Sequence, residues 1–127
     1  MSKILLVEDH PVNRKLINGI LTTAGNDVQE ATTAERGIEL AISWVPHLIV
    51  LDIQLPGSDG LTVVRALRAR PDTKHIPILA VTARAMSGDK EVILAAGCDG
   101  YVSKPIAYKL FLDEVARLTS SASGEVS

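Results

Sequence analysis

Leu48–Gly60, LIVLDIQLPGSDG, is the stretch that decides the fold. It begins with four apolar residues, runs directly into Asp52, and continues to the turn formers Pro56 and Gly57. A short apolar run bounded by turn formers predicts a strand buried on both faces, as in a parallel sheet. Asp52 then lies at the carboxyl end of that strand, where open parallel sheets bind their ligands. Taken alone, Asp52 is better explained as an acid that caps the following turn, and the rest of the chain has to change that balance.

Size and composition predict one globular domain in the cytoplasm. The chain has 127 residues, of which 46% are hydrophobic and 22% charged, as is ordinary for a domain with its own core. A formal net charge of −2 offers no basic surface for nucleic acid. No apolar run approaches the ~20 residues of a membrane helix, and the first residues are too short an apolar run for a signal peptide. The single cysteine, Cys98, excludes an internal disulfide and fits a reducing compartment.

The same strand–turn–helix pattern repeats along the chain. Besides the strand before Asp52, the apolar runs predict strands around Ile4–Val7, Asn26–Ala31, Ile76–Val81 and Cys98–Val102. Each strand is followed by apolar residues at helical spacing. For the first helix we predict one apolar face made of Val12, Leu16, Ile17, Ile20 and Leu21. Five β–α units in succession predict an α/β fold, a parallel sheet with helices on both faces.

The end of the chain differs in composition from the rest. The last nine residues, TSSASGEVS, are rich in serine and nearly free of apolar side chains. Such a segment cannot bury enough apolar surface to hold a fixed structure. We therefore assign residues 1–118 to the domain and residues 119–127 to a disordered tail.

Polar groups follow four of the five predicted strands. They are Glu8–Asp9, Asp52, Thr82 and Lys104. Because parallel strands point the same way, their carboxyl ends meet at one edge of the sheet. We therefore expect three carboxylates, one hydroxyl and one ammonium to converge on one shallow site.

Three carboxylates at one site require a counter-charge. Two like charges ~4 Å apart repel by ~4 kcal/mol at an effective dielectric of 20, and Lys104 alone does not balance three acids. A hard divalent cation does, and ligands that are all oxygens favour Mg²⁺ or Mn²⁺ over zinc. In the alternative, Glu8 points away and Asp9 only caps the next helix, and these residues alone leave that alternative open.

An aspartate in such a site can attack phosphorus and form an acyl phosphate. The transfer needs positioning and neutralisation of the charge on the phosphoryl oxygens. Mg²⁺ would contact one oxygen, Lys104 a second, and the Thr82 hydroxyl or the Ala83 N–H a third. The alternative for Lys104 is an ordinary surface lysine.

The chain resembles a response-regulator receiver domain of two-component signalling, the CheY-like family. The matching residues, in order, are Glu8–Asp9, Asp52 within LDIQLPGSDG, Thr82–Ala83 within AVTARAM, and Tyr101 and Lys104–Pro105 within YVSKP. Within the family, the segments VEDHPVNRKL, LDIQLP and VTARAMSGDKE are most similar to single-domain cell-division regulators of the DivK type.

This resemblance implies a fold and a reaction. The fold is flavodoxin-like (βα)5, a doubly wound five-stranded parallel sheet of strand order 2-1-3-4-5. Asp52 accepts a phosphoryl group from a phosphohistidine on a sensor histidine kinase or a histidine phosphotransfer protein. Mg²⁺ or Mn²⁺ is bound by Asp9, Asp52 and the backbone carbonyl of Gln54, with Glu8 acting through water.

The resemblance also implies a switch around the phosphoryl group. Lys104 pairs with that group and precedes a cis peptide bond to Pro105. Thr82 moves toward the new dianion, and Tyr101 turns inward behind it. The reshaped surface is then bound by a downstream kinase or effector protein.

Two further side chains are predicted to tune the lifetime of the acyl phosphate. Gln54 and Arg84 lie two residues after Asp52 and Thr82, where they border the path of a hydrolytic water. Gln54 also argues against an aspartyl-phosphate hydrolase, which would need a second aspartate there as general acid–base. The chain lacks the glycine-rich motifs of a flavin or nucleotide carrier.

We therefore predict a phospho-accepting signalling module rather than a dedicated enzyme. It acts through protein–protein contacts as a monomer, and phosphorylation-dependent dimerisation is left open. No nucleic acid and no membrane are expected as partners. Two alternatives are a receiver cut from a hybrid histidine kinase or larger regulator, and a pseudo-receiver that binds its partner without phosphate.

Overall fold

The apolar run before Asp52 forms the central strand of a five-stranded parallel sheet in the computed structural model, which describes residues 2–55, 58–83 and 87–122. The strands are β1 (Lys3–Val7), β2 (Asp27–Ala31), β3 (Leu48–Asp52), β4 (Ile78–Thr82) and β5 (Gly100–Ser103). Their order across the sheet is β2-β1-β3-β4-β5, with every neighbouring pair parallel. The predicted α/β fold and the strand order 2-1-3-4-5 are confirmed.

Burial along the strands explains this order. All five residues of β3 and all five of β4 are buried, as the central strands of a sheet covered on both faces require. By contrast, only Ala31 is buried in β2, which forms one lateral edge of the sheet. A polar strand is suited to that edge because its unpaired side faces solvent.

In the part of the chain that the structure describes, five helices cover the two faces of the sheet. They are α1 (Pro11–Thr23), α2 (Ala34–Trp44), α3 (Gly60–Arg68), α4 (Ser87–Ala95) and α5 (Tyr108–Ala122). The buried side chains of α2, α3 and α4 belong to one apolar cluster, and those of α1 and α5 to a second cluster on the opposite face. Within the described ranges, no helix combines the length and the apolar character needed to cross a membrane.

The predicted apolar face of α1 is too wide. Ile17, Ile20 and Leu21 are buried, but Val12 is 68% exposed and Leu16 52% exposed. At about 100° per residue the five positions span roughly 180°, whereas one packed face of a helix covers little more than about 100°. The sheet therefore buries the carboxyl-terminal half of the stripe and leaves the other two residues in solvent.

Helix α5 runs past the predicted start of the tail. It ends at Ala122, so residues 119–122 are helical. Leu118 is buried, and the Thr119 hydroxyl donates a hydrogen bond to the Val115 carbonyl at 2.7 Å. That bond gives the Thr119 hydroxyl a partner within the helix. Composition alone does not predict such a bond. Residues 123–127 lie outside the described residues, as do Pro56, Gly57 and Arg84.

The first strand of the sheet begins beside the carboxyl-terminal end of α2. The Lys3 ammonium donates to the Trp44 carbonyl at 2.7 Å and lies 5.2 Å from the centroid of the Trp44 ring. Val45 follows with φ 50° and ψ 68°, in the left-handed region, and 45% of it is exposed. A β-branched residue rarely adopts that conformation because its Cβ approaches the next carbonyl oxygen.

We expect Val45→Asn to stabilise the protein by about 1 kcal/mol, because asparagine tolerates the left-handed conformation far better than valine. Urea unfolding followed by circular dichroism measures the difference. Val12→Asn is the matched control, since it makes the same change at an exposed valine in ordinary helical conformation and should cost a few tenths of a kcal/mol. A Val45→Asn variant no more stable than the parent would show that this backbone position carries no strain.

Candidate functional site

The polar groups that follow the strands meet at the carboxyl-terminal edge of the sheet. Glu8 and Asp9 follow β1, Asp52 is the last residue of β3, and Lys104 follows β5. One oxygen from each of the three carboxylates lies within 4.8 Å of the other two. The Lys104 ammonium lies 3.4 Å from Asp52 Oδ2 and 3.4 Å from Glu8 Oε1. The predicted convergence of charges therefore exists in the structure.

The two oxygens of Asp52 have different partners. Oδ1 accepts a hydrogen bond from the Gln54 N–H at 2.9 Å, and Oδ2 faces Lys104. Only 4% of Asp52 is exposed, so its side chain is held close to one orientation. The two interpretations of this residue are thus both realised, because one oxygen caps the turn while the other is directed into the site.

Glu8 points into the site rather than away from it. It is fully buried, and its Oε2 accepts a hydrogen bond from the His10 N–H at 3.2 Å. Among the described residues, Glu8 Oε1 is the one buried side-chain nitrogen or oxygen that makes no hydrogen bond, and Lys104 is its charged neighbour. Asp9 does not cap α1, since the N-cap is His10 and no side chain makes a capping hydrogen bond there.

The environment of Glu8 favours its protonated form. Burial raises the pKa of Glu8 from 4.5 to about 7, and the adjacent Asp52 carboxylate acts in the same direction. The His10 N–H and the positive charge of Lys104 oppose this increase in the pKa but do not cancel it. The site without a cation therefore carries more negative charge than its surroundings neutralise.

These groups fit a hard divalent cation. Three carboxylates face a single ammonium, the donor atoms are all oxygens, and one buried carboxylate oxygen has no hydrogen bond. Mg²⁺ prefers such ligands and binds through one or two carboxylates together with water and phosphate oxygens. No nitrogen or sulfur ligand of the kind preferred by zinc belongs to this group of described residues.

Thr82 and Tyr101 lie on the same face of the sheet. Thr82 is the last residue of β4 and is almost fully buried. Tyr101 in β5 is paired with Ala80 in β4, two residues before Thr82. Side chains two residues apart along a strand share a face, so the Thr82 hydroxyl and the Tyr101 ring are diagonal neighbours. Tyr101 is half-buried against the cluster that contains Ala80.

Of the remaining predicted residues, the structure describes Pro105, Ala83 and Gln54. The Lys104–Pro105 peptide bond is cis. Ala83 and Gln54 are exposed, and Gln54 belongs to a two-residue strand that pairs antiparallel with Ser58–Asp59, apart from the main sheet. Arg84 lies outside the described residues, so its predicted role stays a prediction.

Gly60 allows the chain to fold back against the backbone after Asp52. Its N–H donates to the Ile53 carbonyl at 2.8 Å, and a Cβ at this position would lie 2.6 Å from the Ile53 Cα. Only glycine permits so close an approach of two backbones. The sequence shows a glycine after Asp59, but it does not show which backbone lies against it.

Arg14 is a residue near the site that sequence reasoning misses. Its guanidinium donates to the Asp9 carbonyl at 3.1 Å and to the Glu8 carbonyl at 3.4 Å. The signal in the sequence is a cation in the first turns of the helix that follows the acid pair. That signal is weak, because arginines in helices are common and most of them face solvent.

Comparison with known proteins shows which family this chain is similar to. Residues 4–116 match the family model of the response regulator receiver domain. The chain is 38% identical over 112 residues to the polar-differentiation response regulator DivK of Brucella ovis, a match that covers 88% of this chain and 91% of that protein.

Two solved structures extend the similarity to the fold. A CheY-like response regulator receiver domain protein from Methanospirillum hungatei superposes with a TM-score of 0.87, 26% identity and 99% coverage of both chains. The receiver domain of a sensor histidine kinase from Pseudomonas aeruginosa superposes with a TM-score of 0.82 and 33% identity, covering 98% of both chains. The latter holds a magnesium ion coordinated in its active site cleft.

The raised pKa of Glu8 predicts a dependence of stability on pH in metal-free buffer. Glu8 ionises near pH 4.5 when unfolded and near pH 7 when folded, so the folded state binds the proton more tightly. This group therefore reduces the free energy of unfolding as the pH rises through that interval, and the loss is complete above pH 7. Glu8→Gln carries no charge, so we expect it to exceed the parent in stability by about 3 kcal/mol above the interval and by little below it.

Thermal or urea unfolding in the presence of a chelator, monitored by circular dichroism across this pH range, measures the effect. Glu35→Gln removes one exposed negative charge on α2, so it controls for net charge. A difference between the Glu8→Gln variant and the parent that does not grow with pH would contradict the prediction.

Proposed function

Because the chain belongs to the response regulator receiver domain family, we propose that Asp52 accepts a phosphoryl group from a phosphohistidine. The donor is a sensor histidine kinase or a histidine phosphotransfer protein, and the reaction depends on Mg²⁺. The observation that carries this proposal is the Asp52 carboxylate at the carboxyl end of β3, almost buried, with Lys104 at 3.4 Å and two further carboxylates beside it.

The proposed attack starts from a positioned oxygen. Asp52 Oδ1 is held by the Gln54 N–H, which leaves Oδ2 as the atom directed toward Lys104. When the oxygen–phosphorus bond forms, the nitrogen–phosphorus bond of the donor breaks and its electron pair returns to the imidazole. Such a transfer needs little covalent assistance from the protein, because alignment and charge neutralisation supply most of the rate.

The cation has a defined place in this proposal. Asp9, Asp52 and the backbone carbonyl of Gln54 would hold it, with Glu8 acting through water. Bound Mg²⁺ supplies the positive charge that allows carboxylates and phosphoryl oxygens to approach one another. Lys104 provides the second positive charge and is already within ion-pair distance of Asp52.

The proposed output is a change of surface rather than a chemical product. A phosphoryl group on Asp52 attracts the Thr82 hydroxyl. The Thr82 hydroxyl or the Ala83 N–H then gives the phosphoryl oxygens a third contact, besides those to Mg²⁺ and Lys104. Movement of Thr82 frees space on the face that it shares with Tyr101, and the ring turns inward. The partner that responds is a downstream kinase or effector protein, bound in the cytoplasm without nucleic acid or membrane.

The module is proposed to have no catalytic role beyond its own phosphorylation and dephosphorylation. Gln54 and Arg84 set the lifetime of the acyl phosphate by limiting the access of water. We propose that the protein is a monomer before phosphorylation. The extensive match to DivK, over 91% of that protein, supports a role in which the receiver signals without an attached catalytic domain.

A second candidate is a receiver that serves as one domain of a hybrid sensor kinase. The observation in its favour is the 33% identity to the receiver domain of the Pseudomonas aeruginosa sensor histidine kinase. An immunoblot of cell extract with antibody to this chain separates the two candidates. A band near 13.6 kDa supports the stand-alone regulator, and a much larger band supports the hybrid kinase.

Incubation with acetyl phosphate, followed by intact-mass spectrometry, tests the phosphorylation. We expect one phosphoryl adduct that requires Mg²⁺ and is abolished in Asp52→Asn, because an amide is not a nucleophile toward phosphorus. Asp27→Asn is the matched control, since Asp27 is exposed at the opposite edge of the sheet, and it should be labelled like the parent.

Two results would overturn the proposal. Equal labelling of Asp52→Asn and the parent would show that the acceptor is another residue. A parent that forms no adduct with or without Mg²⁺ would favour a pseudo-receiver that binds its partner without phosphate.

A further inference from the structure

Arg14 connects α1 to the backbone that carries the acidic pair. Its guanidinium donates to two successive carbonyls, that of Asp9 at 3.1 Å and that of Glu8 at 3.4 Å. Only 23% of the Arg14 side chain is exposed, so the guanidinium lies between the helix and this loop rather than in solvent. Both bonds come from Nη1, while the planar group directs Nε toward Glu30 at the same time, which a single ammonium on a flexible stem does poorly.

The guanidinium is itself held from the side of β2. Glu30 Oε1 lies 3.5 Å from Arg14 Nε, and Glu30 Oε2 accepts a hydrogen bond from the Asn18 side-chain amide at 2.7 Å. Glu30 thus fixes two residues of α1 one turn apart. Arg14 is consequently anchored at both ends, by a carboxylate on one side and by two loop carbonyls on the other.

Two N–H groups of the loop have partners of their own. The Glu8 N–H donates to the Ala31 carbonyl at 3.0 Å, and the His10 N–H donates to the Glu8 carboxylate at 3.2 Å. Both bonds hold N–H groups, and the two Arg14 bonds hold the carbonyls between them. The orientation of the peptide units on either side of Asp9 therefore depends on Arg14.

We propose that Arg14 is a positioning residue, anchored by Glu30, that orients the loop so that Glu8 and Asp9 present their carboxylates to a divalent cation. The proposal rests on the magnesium site of the proposed function. Mg²⁺ demands nearly ideal octahedral geometry, so its affinity falls when a ligand is free to turn. Groups that hold metal ligands in place typically change metal affinity by about 10- to 100-fold when they are replaced.

Charge and geometry predict opposite effects at this position. If Arg14 acted only through its charge, its removal would make the electrostatic potential at the carboxylates more negative. Mg²⁺ binding would then become tighter. If it acts by positioning, its removal weakens binding although the site becomes more negative. Lysine preserves the charge, but its single nitrogen cannot contact the loop carbonyls and Glu30 in the same geometry.

Isothermal titration of the full chain with Mg²⁺ tests the proposal. We expect about tenfold weaker binding in Arg14→Met and clear weakening in Arg14→Lys. Arg36→Met is the matched control. Arg36 pairs with Glu39 at 3.1 Å on the exposed face of α2 and makes no described contact with the acidic loop. Its affinity for Mg²⁺ should equal that of the parent. Urea unfolding without metal shows how much of each change is loss of stability.

Each outcome of the titration has one meaning. Weaker binding in both Arg14 variants, while they remain folded, supports positioning. Tighter binding in Arg14→Met with no change in Arg14→Lys would overturn it in favour of a pure charge effect. Reduced stability with unchanged affinity would also overturn it, because Arg14 would then only support the fold. A parent that binds no Mg²⁺ would instead refute the magnesium site of the proposed function, and the proposal for Arg14 with it.

Discussion

Mutual repulsion of three carboxylates around a single ammonium is the constraint on which the rest of this structure depends. Glu8, Asp9 and Asp52 are brought within 4.8 Å of one another, with Lys104 as the neighbouring cation. Each ~4 Å approach of two like charges costs several kcal/mol in a partly buried site. Strands in which every residue is buried supply the opposing free energy, at about 25 cal/mol per Å² of apolar surface. Apolar burial within the strands therefore offsets the electrostatic cost of the charged groups at their ends.

The charged ends are also held by the backbone of neighbouring strands. The N–H groups of Glu8, Ile53 and Lys104 donate to carbonyls of the adjacent strand, one residue beyond the regular pairing. Parallel pairing thus continues for one step past the point where the strands end. This extension gives the site the rigidity of the sheet, although its residues are next to exposed loops, and rigidity is what a cation with strict geometry requires.

Sequence alone predicts the parts of this molecule that follow from repeated patterns. The apolar runs predict the five strands, and the logic of parallel strands predicts that Asp52 and Lys104 meet. Contacts that depend on the angle between elements are not predictable in this way. Arg14 on α1 reaches back to the Asp9 carbonyl, a contact that no repeated pattern in the sequence shows. Val12 is exposed because the sheet covers only part of a wide stripe. Helix α5 likewise continues to Ala122 although residues 119–121 are polar, which composition alone does not predict.

Trp44 lies at the end of the molecule where strands begin, beside Lys3, whereas the acidic site lies where strands end. Five residues of strand at ~3.3 Å each place these two ends roughly 16 Å apart. Trp44 is the single tryptophan of the chain. Its emission is therefore a built-in optical reporter of whether the fold is intact, and it is remote from the chemistry at Asp52. Fluorescence can follow unfolding of site variants, while binding at the acidic edge needs a probe of its own.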